Sequence, residues 1–150
     1  MLATRTVEAL DGHRVHIVCE DDEVARWAGS LGAAVCRVAG GGLNAAVSEA
    51  LDRVASSGRV AVVHADLAAP DHLPSVLAMS GNVLVPDCRG DGTNVMVLER
   101  GVEIQPAYGR GSFRAHLHLI GAEARRTGTV LRVVRHPALG IDVDTVTDLR

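Results

Sequence analysis

The chain has 150 residues, and although 47% of them are apolar only 2% are aromatic: Trp27, Tyr108 and Phe113, one of each. That length suits one domain and allows a core to be buried without disulfide or metal staples. Residues 1–150 are therefore expected to form a single unit, its core built from the 22 Val and 21 Ala with Leu and Ile. Fifteen arginines and no lysine face 18 Asp plus Glu for a net charge of −3, which excludes a general binder of nucleic acid or anionic membrane.

Taken in chain order, Arg14 to Cys19 reads as a strand, and Asp21, Asp22 and Glu23 open a helix through Leu31 with an acidic first turn. Ala33 to Val38 is a second short strand, followed by the turn Gly40-Gly41-Gly42. Leu43, Ala46, Val47, Ala50, Leu51 and Val54 recur at spacings of three and four, predicting a helix over 43–56 that stops at Gly58. Arg59 to His64 is so continuously apolar that a central strand is expected. A short helix over Pro70 to Met79 follows. Next come two strands, Asn82 to Pro86 and Asn94 to Leu98, joined by the loop Asp87 to Thr93. Ser112 to Arg126 is a helix with Ser112 as its expected N-cap, and Thr129 to Arg135 is a last strand. Strands alternating with helices predict an α/β fold with a largely parallel sheet, in which ligands bind at the carboxyl ends of strands.

Those ends hold the candidate chemistry. Asp142 and Asp144 are one residue apart, so in extended chain both carboxylates face one side and require a compensating cation. Magnesium takes one or two carboxylates and completes its shell with water and phosphate oxygens, and Asp66, past the apolar strand, can reach the same crevice. Each aspartate alone reads more readily as a turn or cap residue, and the metal reading gains only if all three converge. Gly90 to Thr93 and Tyr108 to Ser112 are glycine-punctuated, and the second leads into a helix N-terminus, where backbone N–H groups can approach a phosphate. With no lysine, any side-chain cation on a phosphate must be Arg or a metal. His116 and His118, two apart on a helix, do not share a face and are expected to be solvated or packing residues. Cys19, Cys36 and Cys88 form no Cys-x-x-Cys pair, which predicts a reduced, cytoplasmic protein with all three as small core residues. No apolar run reaches the roughly 18 residues of a membrane span, and the first residues lack the core of a signal peptide.

The motifs gain specificity from their order: Gly-Gly-Leu-Asn-Ala-Ala at 41–46, His-Ala-Asp-Leu at 64–67, Pro-Asp-Cys-Arg-Gly-Asp-Gly-Thr-Asn at 86–94, Tyr-Gly-Arg-Gly-Ser-Phe-Arg-Ala-His at 108–116 and Ile-Asp-Val-Asp-Thr at 141–145. Together they resemble the guanylyltransferases of coenzyme F420 biosynthesis, the phosphoenolpyruvate or 2-phospho-L-lactate guanylyltransferase family. The resemblance implies a Rossmann-like nucleotidyltransferase fold of three layers, similar to nucleotide-diphospho-sugar transferases, with a mostly parallel sheet. It implies transfer of GMP from GTP to a phosphorylated three-carbon acid with release of pyrophosphate. By the family's pattern Asp66, Asp142 and Asp144 hold Mg²⁺, Thr93, Gly109 and Ser112 bind the acid, and Gly42 and Asn44 meet the nucleotide.

This chain departs from that pattern at Ala68, where the family has Pro after Ala-Asp-Leu, at Asp91 in place of Thr, and at Val146 in place of Pro. Residues 1–10 match only the end of the family's first long helix, so the expectation is an N-terminally truncated fold without the opening strand and its basic, triphosphate-gripping loop. A missing strand would leave a sheet edge and apolar helix faces exposed, which favours instability or a homodimer. Three readings stay open: a guanylyltransferase, a non-catalytic remnant or binding module of that family, and a nucleotidyltransferase of another specificity.

Overall fold

The computed structural model describes residues 1–54 and 58–141. In chain order these form α1 (Leu2–Glu8), β1 (His16–Cys19), α2 (Asp22–Ser30), β2 (Ala34–Arg37), α3 (Gly42–Val54) and β3 (Val60–Val63). A 3₁₀ turn, Pro70–His72, then runs into α4 (Leu73–Leu77), followed by β4 (Asn82–Pro86), β5 (Thr93–Leu98), α5 (Ser112–Thr127) and β6 (Leu131–Val133). Local chemistry accounts for the ends. The Asp21 carboxylate accepts from the N–H groups of Glu23 at 2.6 Å and Val24 at 3.2 Å, and Asp22 and Glu23 place negative charge in the first turn of α2. Helix α5 stops at Gly128, whose φ of 69° suits a residue without Cβ. Its N-cap is Gly111, also left-handed at φ 71°, and not Ser112, which is the first helical residue and buried.

The described strands form two sheets, β1 beside β2 in parallel and a four-stranded sheet ordered β3-β5-β4-β6. Within the larger sheet only β4 with β6 is parallel, while β3 and β4 both run antiparallel to β5. The α/β class is as expected, but the sheet is mixed rather than mostly parallel. Physically, a loop as short as 87–92 can only reverse the chain, whereas a parallel pair needs a crossover of a dozen or more residues. The Arg59 to His64 run also lies elsewhere than expected: among the described residues β3 pairs with β5 alone and is an edge strand, with Val60, Val62 and Val63 only half-buried.

Strands β4 and β5 are buried along their whole length, so their side chains alternate between two cores. Leu84, Met96 and Leu98 pack with Val102 and with Phe113 and Ile120 of α5. Val83, Val85, Val95 and Val97 pack on the other side with Leu67, Leu139 and the α4 residues Leu73, Val76 and Leu77. Helices therefore cover both faces of this sheet, the three-layer arrangement that strands apolar on both sides require. Cys19 and Cys36 are buried as expected, whereas Cys88 sits exposed in the 87–92 loop, where no element covers it. Leu84 is fully buried at the centre of its layer. Leu84→Ala is expected to lower the unfolding free energy by about 2–5 kcal/mol in urea titration, because the cavity has rigid strand neighbours on both sides.

Candidate functional site

Two loops meet at the start of α5. The first is built on Asp87, whose carboxylate accepts from the N–H of Asp91 and of Gly92, each at 2.9 Å, while its own N–H donates to the Gly92 carbonyl at 3.0 Å. A Cβ at position 92 would lie 2.9 Å from Asp87 Oδ2, so glycine is required for the carboxylate to close the turn. Asp91, exposed, contributes through its backbone: its carbonyl accepts from Phe113 N–H at 2.9 Å, which docks the loop on the first turn of α5.

The second loop, 107–111, is held from two sides. Asn44, near the start of α3, accepts from Tyr108 N–H at 2.6 Å and donates to the Tyr108 carbonyl at 3.0 Å. His116 of α5 accepts at Nε2 from Ala107 N–H at 2.9 Å and lies 3.0 Å through Nδ1 from Thr93 Oγ1. A backbone N–H can only donate, so Nε2 is unprotonated, the ring is neutral and its proton sits on Nδ1, donating to Thr93. Burial, and then the charge of His64, push the pKa of His116 below its ordinary 6.5. The Tyr108 ring stands edge-on to His116 at 4.7 Å and tilted against His64 at 5.4 Å. Burial pushes the Tyr108 phenol up, and its hydroxyl is buried with no hydrogen-bond partner, as are His64 Nε2 and Asp66 Oδ1.

The expected acid-binding residues come together here. Gly109, exposed at φ 121°, precedes Ser112, whose N–H donates to the Gly109 carbonyl at 3.0 Å, and Thr93 reaches the same helix through His116. Thr93 and Ser112 are themselves buried. Gly42 and Asn44 lie at the exposed start of α3, joined to this loop by the Asn44 amide. Asp66 stands just past β3 with Oδ1 4.0 Å from His64 Nδ1. Asp142 and Asp144 lie outside the described residues. The chain leading to them is fixed beside Asp66: Ala68 N–H donates to the Ile141 carbonyl at 3.0 Å, and the Asn94 amide donates to the Leu139 carbonyl at 3.0 Å. Among the described residues no group of three His, Cys, Asp or Glu is close enough to hold an ion.

A model of the guanylyl transferase CofC-like family matches residues 1–150. The chain belongs to that family. It is 35% identical over 160 residues to a phosphoenolpyruvate guanylyltransferase of Rubrobacter xylanophilus, an alignment covering 97% of this chain and 74% of that protein. It is 36% identical over 156 residues to a phosphoenolpyruvate guanylyltransferase of Sphaerobacter thermophilus, covering 98% and 70%. A shorter match, 41% identical over 91 residues, is to a 2-phospho-L-lactate guanylyltransferase of Halobacterium salinarum, covering 59% and 41%. A crystal structure of 4-diphosphocytidyl-2C-methyl-D-erythritol synthase superposes with a TM-score of 0.62 at 10% identity, over 98% of this chain and 83% of that one, and so shares the fold.

Within this CofC-like chain, sequence reading missed what holds the site. His116 is buried on the stripe Phe113, His116, Ile120, Ala124, a spacing of three and four that was available to mark it as a core position; His118, two residues on, is exposed. Its partners Ala107 and Thr93, and the 64-residue reach from Asn44 to Tyr108, leave no mark on local periodicity. Since the folded pKa of His116 lies below 6.5, the unfolded chain binds its proton more readily. Its contribution to stability is complete above that ordinary value and is lost as pH falls through it toward the folded pKa. Urea unfolding between pH 7.5 and 5.5 is expected to show stability declining with acid, less steeply in His116→Gln.

Proposed function

We propose that this chain transfers the guanylyl group of GTP to phosphoenolpyruvate or 2-phospho-L-lactate, in the cytoplasm, as a step of coenzyme F420 biosynthesis. The reading rests on membership of the CofC-like family together with relatives named for these two activities. A phosphate oxygen of the acid attacks the α-phosphorus of GTP; the bond from that phosphorus to the bridging oxygen breaks, and pyrophosphate leaves. Such a transfer asks a protein for positioning and charge neutralisation more than for covalent chemistry.

Each part has a source in the chain. Gly109, free of side chain and exposed, lets backbone N–H groups approach the acid's phosphate at the N-terminal end of α5, with the Thr93 and Ser112 hydroxyls as further donors behind it. Gly42 and Asn44 at the start of α3 lie on the nucleotide side, and the Asn44 amide keeps that side in register with the acid loop. Asp66 fits a magnesium ligand: Oδ1 is a buried anionic oxygen that no hydrogen bond satisfies, a state that a hard cation relieves. Asp142 and Asp144 follow Ile141, which is bonded to Ala68, and would complete the carboxylate set. When bound there, the metal supplies neutralisation of the phosphate charge. No helix among the described residues is long and apolar enough to cross a membrane.

The test is pyrophosphate release by the full chain from GTP with Mg²⁺ and either acid. Release dependent on both acid and metal is expected. Asp66→Asn is expected to lower kcat/KM by on the order of 100-fold, the scale for removing a group that stabilises transferring charge. Absence of release with both acids overturns the reading, and full activity in Asp66→Asn removes Asp66 from the metal site.

A further inference from the structure

We propose that His116 is a positioning residue of the acceptor site, leaving the one hydroxyl proton of Thr93 free for a phosphate oxygen of the acid while holding the 107–111 loop through Ala107; this rests on the guanylyltransferase reading above. The polarity follows from donors and acceptors alone. Ala107 N–H occupies Nε2 as acceptor at 2.9 Å, which forces the ring proton onto Nδ1, 3.0 Å from Thr93 Oγ1. Thr93 therefore accepts from the imidazole and keeps its own hydrogen. Among the described residues that hydrogen meets no other acceptor. The opposite tautomer would draw the Thr93 proton toward the ring and present only lone pairs to an anion. Ala107 is two residues from Gly109, so one ring fixes both the direction of the hydroxyl and the height of the loop. The groups facing it are Thr93 from β5, Tyr108 from the loop and His64 past β3, none of them an anion that would stabilise a charged ring.

Two measurements on the full chain test this. The ¹⁵N shifts of the His116 ring in the unmodified protein at pH 7 are expected to report a neutral ring protonated at Nδ1; an Nε2–H or doubly protonated ring overturns the proposal whatever the variants do. Calorimetric binding of phosphoenolpyruvate is expected to weaken about tenfold in His116→Gln, which loses the donor to Thr93, and far less in His116→Asn, which gives up only the Ala107 contact, the loop still being held by Asn44 at Tyr108, and keeps an amide N–H₂ where Nδ1–H was. GTP affinity is expected to stay unchanged in both. Equal losses for the acid and GTP, or equal losses in Asn and Gln, overturn the positioning role and leave a structural one. Unchanged phosphoenolpyruvate affinity in Thr93→Val, or no binding to the unmodified chain, instead overturns the acceptor-site reading. Should the His116 variants fail to fold, the ring tautomer and Thr93→Val still decide.

Discussion

Because β4 and β5 are buried on both faces, polar chemistry is confined to their ends. The strand interiors are Val, Leu and Met, and the polar residues that remain buried, Asn82, Thr93 and Asn94, sit where a strand begins. A buried polar group must be paired, and each of these reaches across the fold to be so. The Asn82 amide donates to Thr129 Oγ1 at 2.9 Å and its oxygen accepts from Glu99 N–H at 2.8 Å; Asn94 takes the Leu139 carbonyl; Thr93 takes His116. The same requirement that sandwiches the sheet between helices thus pulls α5 and the segment before Asp142 onto one end of it. The candidate site is where the reaches of Thr93 and Asn94 converge, while Asn82 holds the opposite end of the sheet.

How legible this was depended on range. The spans of the elements follow from periodicity and from turn and cap chemistry acting over a few residues, as with Asp21 at the head of α2. Pairing direction did not follow, since apolar runs show that a strand is sheltered but not by whom. The Arg59 to His64 run looks central by composition, yet β3 lies at the edge of its sheet. The short Asp87 to Thr93 loop already contained the antiparallel hairpin, and a steric argument from its length would have found it. Motif order led to the family, while the residues that hold its motifs in place, His116 and Asn44, depend on partners brought near only by folding.

Charge is distributed in a way that total counts conceal. Arg5, Arg26, Arg37, Arg53, Arg59, Arg126 and Arg132 each donate to a backbone carbonyl, so much of the cationic side-chain complement serves as structural clamps. Arg59 is the fullest case, bonding the carbonyls of Leu77 at the end of α4 and Gly81 beyond it and approaching Glu99 at 3.2 Å. The guanidinium fork, with five donors, can do this where an ammonium could not fan out in one plane. Arg89 and Arg110 of the two site loops and Arg114 in the first turn of α5 are not among these clamps and stand exposed.

Ala68 bears on the geometry of the site through its backbone. The family pattern that this chain resembles has proline after Ala-Asp-Leu, and proline has no N–H, whereas here the N–H of residue 68 donates to the Ile141 carbonyl. Proline at 68 would stiffen the turn after Asp66, whereas alanine supplies a direct tether to the segment ending at Ile141. The two solutions are alternative ways of holding one carboxylate still, the first by restricting its own backbone and the second by tying that backbone to its neighbour.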